Sequence, residues 1–148
     1  MCPPGVYSFL SDLSDPHGSG DEQALSDFLR DWAQGLGLEV TQDACRNIWV
    51  RKPAYPGWES VPGVMLQAHM DMVCVKAPGV EHDFHKDPID WVIEGNVLST
   101  GGKTTLGATT VSGWPWPWRF WRTPSFPTGA GSAVYHKGGG RLFRGAGV

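Results

Sequence analysis

A chain of 148 residues is long enough for one domain with a buried core, and a formal charge of -3 gives no electrostatic case for nucleic acid or an anionic membrane surface. No run of about twenty apolar residues occurs, so no membrane-spanning helix is expected. The opening Met1-Cys2-Pro3-Pro4-Gly5 lacks the basic and apolar regions of a secretory signal. Cys2, Cys45 and Cys74 show no CxxC spacing. That argues against a disulfide framework or a cysteine zinc site and favours reduced thiols in a cytoplasmic protein.

In chain order, residues 6–13 mix apolar and polar side chains and suit a short helix, and 16–20 form a Gly/Ser loop in which His17 is expected to be solvated. Ser19-Gly20-Asp21-Glu22 matches a capping box, with acidic residues suited to the positive end of a helix. Ala24, Leu25, Phe28, Leu29, Trp32 and Leu36 then recur at helical spacing, and Gly35 and Gly37 supply a stop. Residues 38–41 and 47–51 read as two strands able to pair as a hairpin, and 53–62 as a turn-rich connection. Val64-Met65-Leu66-Gln67-Ala68 is a short apolar run of the kind buried on both sheet faces. Residues 91–94 and 97–99 read as a further hairpin around Gly95-Asn96. A helix followed by apolar strands gives an α/β fold, with helices packed on a mixed sheet.

The composition changes near Ala108. No Asp or Glu follows Glu94, and residues 109–148 hold Trp114, Trp116, Trp118 and Trp121 among many Gly and Pro. Pro115 and Pro117 rule out a regular helix or central strand around them. The chain therefore divides into a globular part, 1–108, and an irregular, poorly ordered tail, 109–148.

The chemistry concentrates at the end of the apolar run. In open α/β sheets ligands bind beyond the carboxyl ends of strands, where His69 stands with Asp71 two residues on. Imidazole suits zinc, and a metal-bound histidine commonly gives its other N–H to a carboxylate. The bland alternative is a strand-end histidine hydrogen-bonded to an aspartate, and the three-residue pattern alone leaves both open. Gly101-Gly102-Lys103-Thr104 lacks the first glycine of a phosphate loop, since position 97 is Val97. His82, Asp83 and His85 offer no apparent fourth ligand and read as a polar loop.

Longer strings favour the metal. Gln67-Ala68-His69-Met70-Asp71-Met72-Val73, the stretch from Pro78-Gly79-Val80 to Asp87-Pro88-Ile89-Asp90, and Thr104-Thr105-Leu106-Gly107-Ala108 closely resemble successive motifs of the bacterial aminoacyl-histidine dipeptidases, also called cytosolic Xaa-His dipeptidases. Gly18-Ser19-Gly20-Asp21-Glu22 and the string from Asn47-Ile48-Trp49 to Pro53-Ala54 fit the same family. The resemblance runs over about residues 6–108 and implies the N-terminal part of a di-zinc dipeptidase catalytic domain. It implies that His69 binds a zinc ion, that Asp71 supports catalysis there, and that the substrate is a small Xaa-His dipeptide such as β-alanyl-histidine. It also marks departures. A metal-bridging Asp is expected after Ala108, where this chain has Thr109. A Glu pair holding the general base should follow, yet no Glu occurs after Glu94.

The genetic code offers a reason. Trp114-Pro115-Trp116-Pro117-Trp118 reads TGG CCN TGG CCN TGG. Starting at the last base of each codon gives Ala alternating with Leu, Met or Val, a helix-forming mixture. The same shift within the Ala108 codon permits Asp-Asn-Gly-Ile-Gly, and a further shift over 137–140 permits Lys-Glu-Glu. The tail then reads as out-of-frame translation and the chain as inactive. Two rival readings are a non-catalytic remnant of a damaged gene and a binding module using the aromatic tail.

Overall fold

The structure, a computed structural model, describes residues 14, 17–95, 97–107, 129 and 131–136, with only the backbone of 132–136. Helix α1 (Gln23–Gly35) leads into strands β1 (Glu39–Gln42) and β2 (Ile48–Lys52), then β3 (Val64–His69), β4 (Val92–Glu94), β5 (Val97–Ser99) and β6 (Gly131–His136). The main sheet has the order β1-β2-β6-β3, and β4 and β5 pair separately.

The α1 sequence puts an apolar stripe on one face, and that face makes the core. Leu25, Leu29 and Ala33 are buried against Ile48, Val50 and Met70, with Phe28, Trp32, Val40, Leu66 and Ala68 packed around them. A side chain as enclosed as Leu29 contributes roughly 1.5–3 kcal/mol by leaving water. The stripe is turned slightly from the expected one. Ala24 and Leu36 are exposed, and Ser26 is buried in their stead. Leu36 lies past the last helical turn, so it cannot follow the stripe. Ser26 is tolerated because its hydroxyl donates to the Arg46 carbonyl at 2.8 Å and accepts from Gln42 Nε2 at 2.7 Å.

The helix stops where Gly37 adopts a φ of +74°. The Gly37 N–H then reaches the Gln34 carbonyl at 2.8 Å, and the Leu38 N–H reaches Ala33 at 3.2 Å, the paired bonds of a Schellman turn. The start departs from expectation. Glu22 occupies the N-cap without a side-chain cap bond, and no acidic residue lies in the first turn. The capping box fails because Ser19 has a tertiary partner, Asp71, while the Glu22 carboxylate accepts the Gly20 N–H at 2.8 Å.

The expected first hairpin forms, β1 and β2 pairing antiparallel from Glu39 opposite Arg51 to Gln42 opposite Ile48. Its loop is closed by Asp43, whose carboxylate accepts from the Asn47 N–H at 2.8 Å and Nδ2 at 2.7 Å. The β4–β5 hairpin also forms where expected.

Two expectations about the sheet are corrected. β3 is not buried on both faces: among the described residues it is an edge strand, with Val64 47% and Met65 63% exposed. Leu66 and Ala68 pack on the core, but among the described residues no element covers the side that Met65 takes. Double burial needs cover on both faces. The tail is also not irregular throughout. Gly131–His136 runs between β2 and β3, antiparallel to the first and parallel to the second. Ala133-Val134-Tyr135 has strand-forming character that the flanking glycines masked in the sequence. Residues 6–13, expected to be helical, and the Trp/Pro run 114–118 lie outside the described residues.

Candidate metal centre

His69 is the last residue of β3, and Asp71 follows across a single buried residue. Met70 is 0% exposed within the core cluster and Met72 is 3% exposed. These two methionines anchor the chain on either side of Asp71, so the side chains at 69 and 71 turn to a common side. The Met72 N–H donates to the His17 carbonyl at 3.0 Å, and Met72 pairs with Gly18 in a short parallel bridge. That bridge carries the 17–21 loop alongside Asp71.

The result is a polar chain of three side chains. His69 Nδ1 lies 2.9 Å from the Asp71 carbonyl oxygen and 3.0 Å from Asp71 Oδ1. Both are acceptors, so the shared proton belongs on Nδ1, and in the neutral ring Nε2 then carries the lone pair. Ser19 Oγ donates to Asp71 Oδ2 at 2.5 Å. Partial burial pushes the Asp71 carboxyl up, but the hydrogen bonds from Ser19 and His69 outweigh it, and the group sits below the usual aspartate value. Asp71 is therefore ionised at neutral pH and oriented by two donors.

The structure brings together His69 and Asp71, as the sequence suggested, and adds Ser19. A capping-box signature had obscured Ser19. His17 corrects another expectation: it is 2% exposed rather than solvated. Its loop is fastened to Met72, and Gly107 closes over it; a Cβ added there would lie 3.2 Å from the Met72 Cβ and 3.7 Å from His17 Nε2.

The other histidines do not join this centre. His82 packs edge-on against Phe84, with ring centroids 4.5 Å apart. His85 is exposed and lies 3.2 Å from the Asp21 carboxylate, a pairing across 64 positions that no local pattern signalled. Asp83 accepts the His85 N–H. The Gly101-Gly102 turn has φ of +63° and +75°, and Lys103 Nζ lies 3.4 Å from Asp90. Thr109 lies outside the described residues.

A closed zinc site takes four donors. The imidazole with its carboxylate partner fits one ligand position of such a site. Among the described residues, however, no group of three or more His, Cys, Asp or Glu side chains converges to hold a metal. No hydrolytic step through a metal follows from these residues alone.

No family model matches the chain. It is 44% identical over 100 residues to the cytosol non-specific dipeptidase of Escherichia coli (strain K12), a match over 68% of this chain and 20% of that protein. The aminoacylhistidine dipeptidase of Vibrio alginolyticus matches structurally with a TM-score of 0.84 and 32% identity, covering 100% of this chain and 30% of that one. A tripeptidase of Staphylococcus aureus shares the fold, with a TM-score of 0.69 at 20% identity over 88% of this chain and 35% of that one. The fold is that of part of an M20 peptidase catalytic domain. Within that class the chain is a partial M20 dipeptidase, related to the cytosolic and aminoacyl-histidine dipeptidases, and it spans 20% of the curated relative's length.

Proposed function

We propose that this chain is a segment of a zinc-dependent, cytoplasmic dipeptidase, in which His69 is one metal ligand and Asp71 the carboxylate that orients it. The observation that carries this reading is the His69 Nδ1 contact with Asp71, 3.0 Å long, at the carboxyl end of β3. An imidazole that gives its Nδ1 proton to a carboxylate keeps its Nε2 lone pair, the electron pair a cation would take. In the intact protein a bound zinc would supply Lewis-acid polarisation of the scissile carbonyl. The substrate class is a small Xaa-His dipeptide, in line with the name of the Vibrio relative.

Two groups that the family resemblance leads one to expect are not at their expected places in this sequence. Thr109 stands where the bridging carboxylate belongs, and no Glu after Glu94 can serve as base. We read residues 109–148 as out-of-frame translation and this chain as catalytically inactive. Restoring the shifted frame after Ala108, with the downstream sequence, is expected to yield zinc-dependent release of histidine from β-alanyl-histidine. That activity should vanish in His69→Ala. A restored, folded protein without zinc-dependent dipeptidase activity overturns the reading, as does a nucleotide sequence with no family reading in either shifted frame.

A further inference from the structure

We propose that Ser19 is a positioning residue for the His69 imidazole. Its hydroxyl fixes the Asp71 carboxylate in the orientation that takes the Nδ1 proton, which keeps the lone pair on Nε2. This rests on the reading of His69 as a ligand and adds to it the group that sets the ring's tautomer.

Asp71 has two oxygens, and each has a separate donor: Oδ1 faces His69 Nδ1 at 3.0 Å and Oδ2 takes the Ser19 hydroxyl at 2.5 Å. A carboxylate held at one oxygen can still turn about its Cβ–Cγ bond; one held at both cannot without breaking a bond to an ionised acceptor. The hydroxyl has a second effect. It can only donate to an ionised carboxylate, so it leaves Oδ1 as the acceptor for the ring.

The fold spends several contacts on placing Ser19, 52 positions away in sequence from Asp71. Gly18 pairs with Met72, the residue after Asp71, and the His17 carbonyl holds the Met72 N–H. The Asp21 N–H closes back on the Gly18 carbonyl at 2.8 Å, and Gly20 takes a φ of +98° to allow that turn. A Cβ at Gly18 would lie 2.9 Å from Cys74 Sγ, so a side chain there would require that sulfur to move. Helix α1 meanwhile forgoes the Ser19 cap that its sequence offers. An exposed serine that merely decorated the loop would have no reason to leave that role.

The test is the tautomer of His69 in the full chain, read from two-bond proton–nitrogen spectra of the imidazole at about pH 8, where an ordinary imidazole is neutral. The signal is assigned by its loss in His69→Gln. In the wild type the proton sits on Nδ1. In Ser19→Ala the ratio of the Nδ1–H to the Nε2–H form should fall by about two- to fivefold, the scale of one exposed charge-assisted hydrogen bond. Ser19→Thr, which keeps the hydroxyl, should restore the wild-type ratio. Amide shifts of the β1–β2 hairpin monitor the fold. An unchanged ratio in a folded Ser19→Ala, or a loss in Ser19→Thr as large as in Ser19→Ala, overturns the proposal. If Ser19→Ala disturbs the hairpin, Ser19→Gly, which also lacks the hydroxyl, takes its place with the same expected fall and the same overturning result. No metal is present in this measurement, so it fails or succeeds apart from the ligand reading. Zinc added afterwards tests that reading through the His69 Nε2 shift.

Discussion

Around α1, β1 and β2 the chain buries Leu29, Ala33, Ile48 and Val50 to 1% exposure or less, whereas along β3 Val64 and Met65 stand 47% and 63% exposed. The first region is stabilised by removing apolar area from water. The second is positioned by polar fastenings from distant parts of the chain: the His17 carbonyl on Met72, Ser19 on Asp71, and Thr105, whose hydroxyl donates to the Val73 carbonyl at 2.5 Å. Stability and site geometry thus come from different physics. Among the described residues the first region is enclosed, while Met65 on β3 faces solvent.

The largest expected effect tests the apolar corner. Leu29→Ala should cost about 2–5 kcal/mol in urea unfolding, because the cavity opens inside the only cluster that α1 shares with β2 among the described residues. A loss under about 1 kcal/mol would mean that this corner does not carry the stability. Next is the junction of the two regions. Gly18→Ala drives a Cβ to 2.9 Å from Cys74 Sγ and should cost about 1–3 kcal/mol by overpacking. Cys74→Ala in the same chain should recover most of it; additive losses would show that the sulfur is not the obstacle. Met65→Thr, on the exposed strand, should change stability by less than about 0.5 kcal/mol. A large loss there would reveal cover on that side and break the contrast.

The smallest effect is a pH dependence in the first region. The Gln42 hydrogen bond, with help from Arg30 and Arg46 and against some burial, holds the Asp27 carboxyl below its ordinary value. Its folded value lies below its unfolded one. Its contribution is therefore present above the ordinary aspartate range, about pH 3.9, and is lost as pH falls through the lowered value. Asp27→Asn should flatten that part of the acid limb of stability. An unchanged acid limb would remove Asp27 from the account.

Local grammar made the first region readable. The helical stripe, the Gly37 stop, and both hairpins lie within short windows where periodicity and turn chemistry act alone. The site was half readable. His69 and Asp71 are two residues apart and follow a strand, so their meeting is a local event. Ser19 and His17 were misjudged because their partners, Asp71 and Met72, lie more than fifty positions away. A Gly/Ser loop looks the same in sequence whether it is solvated or fastened. The strand Gly131–His136 was missed because the flanking glycines masked Ala133-Val134-Tyr135 and its partners in β2 and β3 are distant in sequence.

The central proposal is that His69, oriented by Asp71, is a metal ligand and that this chain by itself does not hydrolyse dipeptides. The most direct measurement follows free histidine released from β-alanyl-histidine by the purified chain with added zinc. The account predicts no release above the buffer blank. Turnover above the blank that is abolished by His69→Ala would contradict it.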